Sequence, residues 1–148
     1  MNQERYPFLS KGNYLNFEFE SQGPNGRIKK VVKFNPENAE GSTFFSLTLG
    51  HLNETTGDLD DSAISDNKDT SKILATVAAT VMEFTSQFPD MSVFAQGSTR
   101  TRTRLYQMGI SRNLEEIESV LEVYGLNNER WERYQKNINY DAFLVRQK

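Results

Sequence analysis

The apolar period of this chain changes from two to about 3.6 near residue 69, and that change sets the class of fold. Before it, Tyr14 to Glu20 alternates, with Leu15, Phe17 and Phe19 on one side and Asn16, Glu18 and Glu20 on the other. Such alternation predicts a strand with one buried face. Gly23-Pro24-Asn25-Gly26 supplies turn chemistry. Arg27 to Phe34 reads as the return strand, with Ile28, Val32 and Phe34 inward and Arg27, Lys29 and Lys33 outward. Residues 35–41 read as a loop, and Thr43 to Leu52 as a third strand, apolar enough on both sides to be central. Residues 53–58 form a turn, and Leu59 to Ser65 a short fourth strand.

After the change, Ile73, Val77, Val81, Phe84 and Phe88 recur at helical spacing, flanked by Leu74, Ala78 and Met82. Asp69, Thr70 or Ser71 caps this main helix, and Pro89 ends it. Met91 to Ala95 reads as a fifth strand, and a second, short helix runs from Thr99 to Met108 with Gly109 as its stop. Asn113 to Ile117 forms a helical turn. Ser119 to Leu126 and Arg130 to Tyr134 then form a hairpin about Asn127-Asn128-Glu129. Residues 1–13 are an irregular lead-in tacked down by Tyr6, Phe8 and Leu9, and the tail from Tyr140 to Val145 docks as an edge segment. The expected fold is therefore α+β, order β-β-β-β-α-β-α-β-β: an antiparallel meander sheet with one main helix and one short helix, in a single domain spanning 1–148.

The densest chemistry lies at Gly97-Ser98-Thr99-Arg100-Thr101-Arg102-Thr103-Arg104-Leu105-Tyr106-Gln107-Met108-Gly109. A strand, a small-residue turn and a helix start bring unpaired amides together, and such a place attracts anions. Ser98, Thr99 and Arg100 would supply cap and backbone donors, and Arg102 or Arg104 would neutralise charge. On a helix Arg100 and Arg104 share a face, while Arg102 points roughly the other way. The competing reading is that these arginines solvate a surface or pair with the chain's own carboxylates. A phosphate-bearing ligand, a nucleic acid segment or an acidic protein surface would each suit such a site.

Composition narrows the rest. The net charge of −3 argues against a nucleic-acid binder driven by bulk charge. The chain has no cysteine, which excludes thiolate nucleophiles and cysteine metal sites and fits a reducing cytoplasm. No apolar run approaches the ~20 residues of a membrane helix, so a cytoplasmic location is expected. His51, the one histidine, reads as structural, since no nucleophile and orienter can be placed beside it. The acids between Asp58 and Asp69 lack calcium-loop order and read as a solvated edge, so no metal is expected. Glu115, Glu116, Glu118 and Glu122 read as surface charges available to the arginines. No P-loop, G-x-S-x-G or H-E-x-x-H pattern occurs.

Three stretches together resemble a group of small bacterial proteins of unknown activity, found mainly in Bacteroidetes. They are Gly23 to Val32, Lys72 to Val77, and Gly97-Ser98-Thr99 with Arg102-Thr103-Arg104-Leu105-Tyr106. That resemblance implies a bacterial source and no mechanism. The order of meander, main helix, strand, helix with a Leu-Tyr pair and final hairpin is also similar to the GCN5-related N-acetyltransferase layout. This second resemblance implies acetyl-CoA as cofactor, held at a strand–helix junction, and Tyr106 as general acid. Without it no cofactor is expected. That family's phosphate loop, Gln/Arg-x-x-Gly-x-Gly/Ala, would fall at Asn67-Lys68-Asp69-Thr70-Ser71-Lys72, which holds no glycine. Two residues, Gln107 and Met108, separate Leu-Tyr from the next glycine, where the family usually has three.

Overall fold

The computed structural model describes residues 4–53, 55–56, 59–60 (backbone only) and 68–148. The elements are β1 (Leu9–Lys11), β2 (Asn16–Gly23), β3 (Gly26–Ala39), β4 (Ser42–Leu52), β5 (Leu59–Asp60), α1 (Thr70–Gln87), β6 (Val93–Ala95), α2 (Arg100–Arg112), α3 (Leu114–Glu118), β7 (Leu121–Asn127), β8 (Arg130–Arg133) and β9 (Phe143–Gln147). One mixed, mostly antiparallel sheet runs β1-β2-β3-β4-β6-β9-β7-β8, with β5 also paired to β4. The helices pack on the face that carries Phe17, Phe19, Val32, Phe34, Leu47 and Val123. Phe84 of α1 is fully buried there, its ring stacked on Phe34 at 4.2 Å between centroids. Burying one such side chain is worth roughly 1.5–3 kcal/mol, so the stripe of α1 holds helix to sheet.

The alternation in the first strands holds, and the central place of β4 holds: β3 lies on one side, β5 and β6 on the other. Several expectations change. β3 does not stop at Phe34 but continues to Ala39, and the turn falls at Glu40 and Gly41, both at positive φ. Pro36 is tolerated because β2 pairs with β3 only as far as Lys33. Its partner Phe45 sends its own amide to Ser92 O at 2.9 Å on the other side, so no ladder bond is lost. The lead-in is not wholly irregular, since β1 pairs with β2. Tyr6 is buried and donates its backbone N–H to Thr76 Oγ1 at 2.9 Å, whereas Leu9 is 67% exposed.

Gly109 does not stop α2. The helix passes through it to Arg112, because the missing side chain lets α2 approach α1: a Cβ there would sit 2.8 Å from Leu74 Cβ. The tail is no edge segment. β9 runs between β6 and β7, antiparallel to both, with Phe143 and Val145 inward. β6 in turn pairs with β4 in parallel, so the sheet is not a pure meander. Of the expected fourth strand, Leu59–Asp60 pairs with His51 and Leu52, and residues 61–65 lie outside those described.

Asp69 is not part of a solvated edge. Its Oδ2 accepts from Tyr6 Oη and from Ser21 Oγ, each at 2.6 Å. It therefore occupies the N-cap position of α1 without a side-chain cap bond. The other acids of that run fall outside the residues whose side chains are described. Among the described residues no helix is long and apolar enough to cross a membrane.

Candidate functional site at the start of the second helix

α2 begins where it does because Thr99 caps it. Thr99 is extended, at φ −135° and ψ 165°, and its hydroxyl accepts from Arg102 N at 3.2 Å. The first amides of a helix have no intrahelical acceptor, and no acid occupies this first turn to meet them. Gly97 lies flat against the same turn. A Cβ there would fall 2.4 Å from Thr103 N, and Gly97 N donates to Thr103 Oγ1 at 3.1 Å. Gly-Ser-Thr is thus a clasp between β6 and α2, in which glycine permits contact and threonine provides the cap.

The arginines divide. Arg104 Nη1 donates to Tyr140 O at 2.7 Å and to Gln107 Oε1 at 3.0 Å. Gln107 is buried; its Oε1 also accepts from Tyr140 N at 3.1 Å, and its Nε2 donates to Ile138 O. Arg104 therefore ties residues 138–141 to α2. Arg100 is exposed, and with Arg104 it lines a polar concavity of about 470 Å³ shared with Ser98, Thr99, Tyr140 and Asp141. Arg102 is not among the residues lining that concavity, as the helical step requires. The structure thus brings together Ser98, Thr99, Arg100 and Arg104 and leaves Arg102 out. The glutamates do pair with arginines, but with others: Glu116 with Arg5 at 2.7 Å, Glu122 with Arg146 at 3.0 Å and Glu118 with Arg133 at 3.9 Å.

Tyr140 is the pivot of this corner. It is fully buried, and its ring covers Gly125, where a Cβ would lie 2.4 Å from ring carbons. Its hydroxyl donates to Glu132 Oε2 at 2.9 Å and accepts from Gln135 N at 3.1 Å. Burial pushes the Tyr140 hydroxyl above its ordinary pKa, and the bond to Glu132 adds to the shift. Burial likewise raises Tyr134, against the lowering effect of its bonds to Ser111 and Gln107. Tyr106 is 9% exposed and lines an apolar cavity beneath α2. His51 lies in β4, in register with Lys30 and Asp60.

A second concavity, of about 660 Å³ and mixed charge, escaped the sequence reading. Lys68, Asp69, Thr70, Ser71 and Lys72 at the start of α1 line it together with Glu4 and with Arg112 of α2. Arg112 Nη1 donates to Ser71 Oγ, 41 residues away, a separation at which no motif shows. Lys72 Nζ stands 4.2 Å from the centre of the Tyr6 ring, so part of its attraction is already directed inward.

These features define a mixed α/β domain whose polar concavity opens where its second helix starts. The model of a family of unknown function (DUF6934) matches residues 2–148, and the chain belongs to that family. No curated protein and no solved structure matches it.

Proposed function

We propose that this chain is a binding domain that recognises an anionic group, such as a phosphate, at the start of α2. The observation that carries the reading is the position of Arg104. Its Nη1 is fixed by Tyr140 O and Gln107, and the side chain stands with exposed Arg100 beside the first turn of the same helix, where no acid is present. A guanidinium already held in place loses little freedom on meeting a ligand. Ser98 and Thr99 border the same space, with Asp141 on its rim. Pyrophosphate should raise the melting temperature in low salt and less so in high salt. Arg100→Ala should weaken the response without changing the fold. A response unchanged in Arg100→Ala would place the anion elsewhere.

A second reading, acyl transfer with acetyl-CoA, draws support from one further observation. β4 and β6 pair in parallel only from Phe45↔Val93 to Leu47↔Ala95, after which β4 continues and β6 ends. Tyr106 lines the same cavity as that last pair, Leu47 and Ala95. Acetyl-CoA should then stabilise the protein, with Tyr106→Phe abolishing turnover rather than binding. A flat melting curve with acetyl-CoA would retire this reading and leave the first untouched.

A further inference from the structure

Phe34, Phe84 and Val32 are fully buried, yet a void remains between α1, α2 and the sheet. α1 and α2 touch where Leu74 meets Gly109. One turn further along α1, Ala78 takes the place of a large side chain, and Ala95 of β6 does the same from the sheet. The three small residues Ala78, Ala95 and Gly109, from three different elements, border a cavity of about 70 Å³. Its other walls are aliphatic or aromatic carbon, and the Tyr106 side chain is the one lining side chain that carries a polar atom. A void with such walls gives water too few partners and stays dry. Ala78, Val81 and Ile110 are only partly buried, so the void approaches solvent between α1 and α2.

We propose that this cavity is a binding site for a short aliphatic group of about three carbons, either free or at the end of a larger molecule. The size follows from comparison: an engineered apolar cavity of about 150 Å³ accepts benzene, roughly 25 Å³ per carbon. The class follows from the walls, which offer such a group dispersion contacts and penalise a polar one. Filling costs no rearrangement of the sheet, because the space is already present. The site is separate from the anion concavity. It shares Tyr106 with the acyl-transfer reading but stands without it.

The test is methyl-detected NMR on the full chain with labelled leucine and valine, titrated with propane-saturated buffer and, separately, with propionyl-CoA and CoA. Propane should shift the methyls of Leu47, Leu74, Val77 and Val93 in a saturable manner. Ala78→Leu should weaken that response at least tenfold by occupying the space; should that variant misfold, Ala95→Val carries the comparison. Shifts with propionyl-CoA but not CoA, on top of the propane response, identify the group as the end of a carrier. Shifts with propane alone identify a free small molecule. Absent or non-saturable propane shifts at these methyls, or an equal response in the folded filled variant, would overturn the site. Failure of acetyl-CoA to bind would remove the acyl-transfer reading while leaving the propane result to decide this one.

Discussion

Replacing Arg104 by alanine separates a structural arginine from a merely solvated one. The side chain makes two hydrogen bonds through Nη1, to Tyr140 O at 2.7 Å and Gln107 Oε1 at 3.0 Å. A hydrogen bond from a charged donor contributes about 1.5–3 kcal/mol net when buried. Arg104 is only half-buried, so water replaces part of each bond, and Gln107 Oε1 keeps its bond from Tyr140 N. The loss should therefore total about 2 kcal/mol, below the roughly 3 kcal/mol that two fully buried bonds of this kind would give. For a chain of this size that is a fall in melting temperature of roughly 4–8 °C. Urea unfolding of the wild type, Arg104→Ala and Arg100→Ala provides the assay. Arg100, exposed and without a fixed partner among the described residues, should change stability by less than about 0.5 kcal/mol. Equal effects for the two variants, or a loss below about 0.5 kcal/mol for Arg104→Ala, would refute the claim that Tyr140 O and Gln107 hold this guanidinium.

Gly125→Ala should destabilise by about 1–3 kcal/mol, since its Cβ would enter the ring of Tyr140 at 2.4 Å, and urea unfolding would show it. Tyr134 and Tyr140 both have raised hydroxyl pKa values, chiefly through burial. A raised pKa means that folding favours the protonated phenol. That stabilisation is complete below the ordinary tyrosine value near pH 10 and is lost as pH rises through the shifted values. The protein should therefore unfold in alkali with phenolate absorbance rising in the same step. Phenolate formation well before loss of secondary structure would contradict this.

The sequence carried the alternating strands and the stripe of α1 plainly, because one-sided burial writes itself as a period. Thr99 was legible as a cap for the same local reason. What stayed hidden depends on partners far along the chain. Pro36 in β3 reads as a loop residue until the neighbouring strand is known to end before it. Gly109 looks like a stop unless Leu74 is known to lie against it. β9 looks like an edge because order along the chain does not say that it slots between β6 and β7. At the site, the helical step foretold that Arg102 would part from Arg100 and Arg104. It did not foretell that Arg104 would hold Tyr140, a residue 36 positions away. The opposite sheet face shows the same limit: Phe44, Phe94 and Trp131 form a chain of ring contacts at 6.1 and 6.2 Å across three strands. No local pattern announces it.

Backbone amide NMR during a pyrophosphate titration at low salt would show directly whether negative charge is received where α2 begins. The amides of Ser98 to Arg102 should shift first and together, with Arg100→Ala weakening the response. Shifts led instead by Lys68 to Lys72 would transfer the anion to the concavity at α1, and no saturable shift at either helix start would contradict anion recognition altogether.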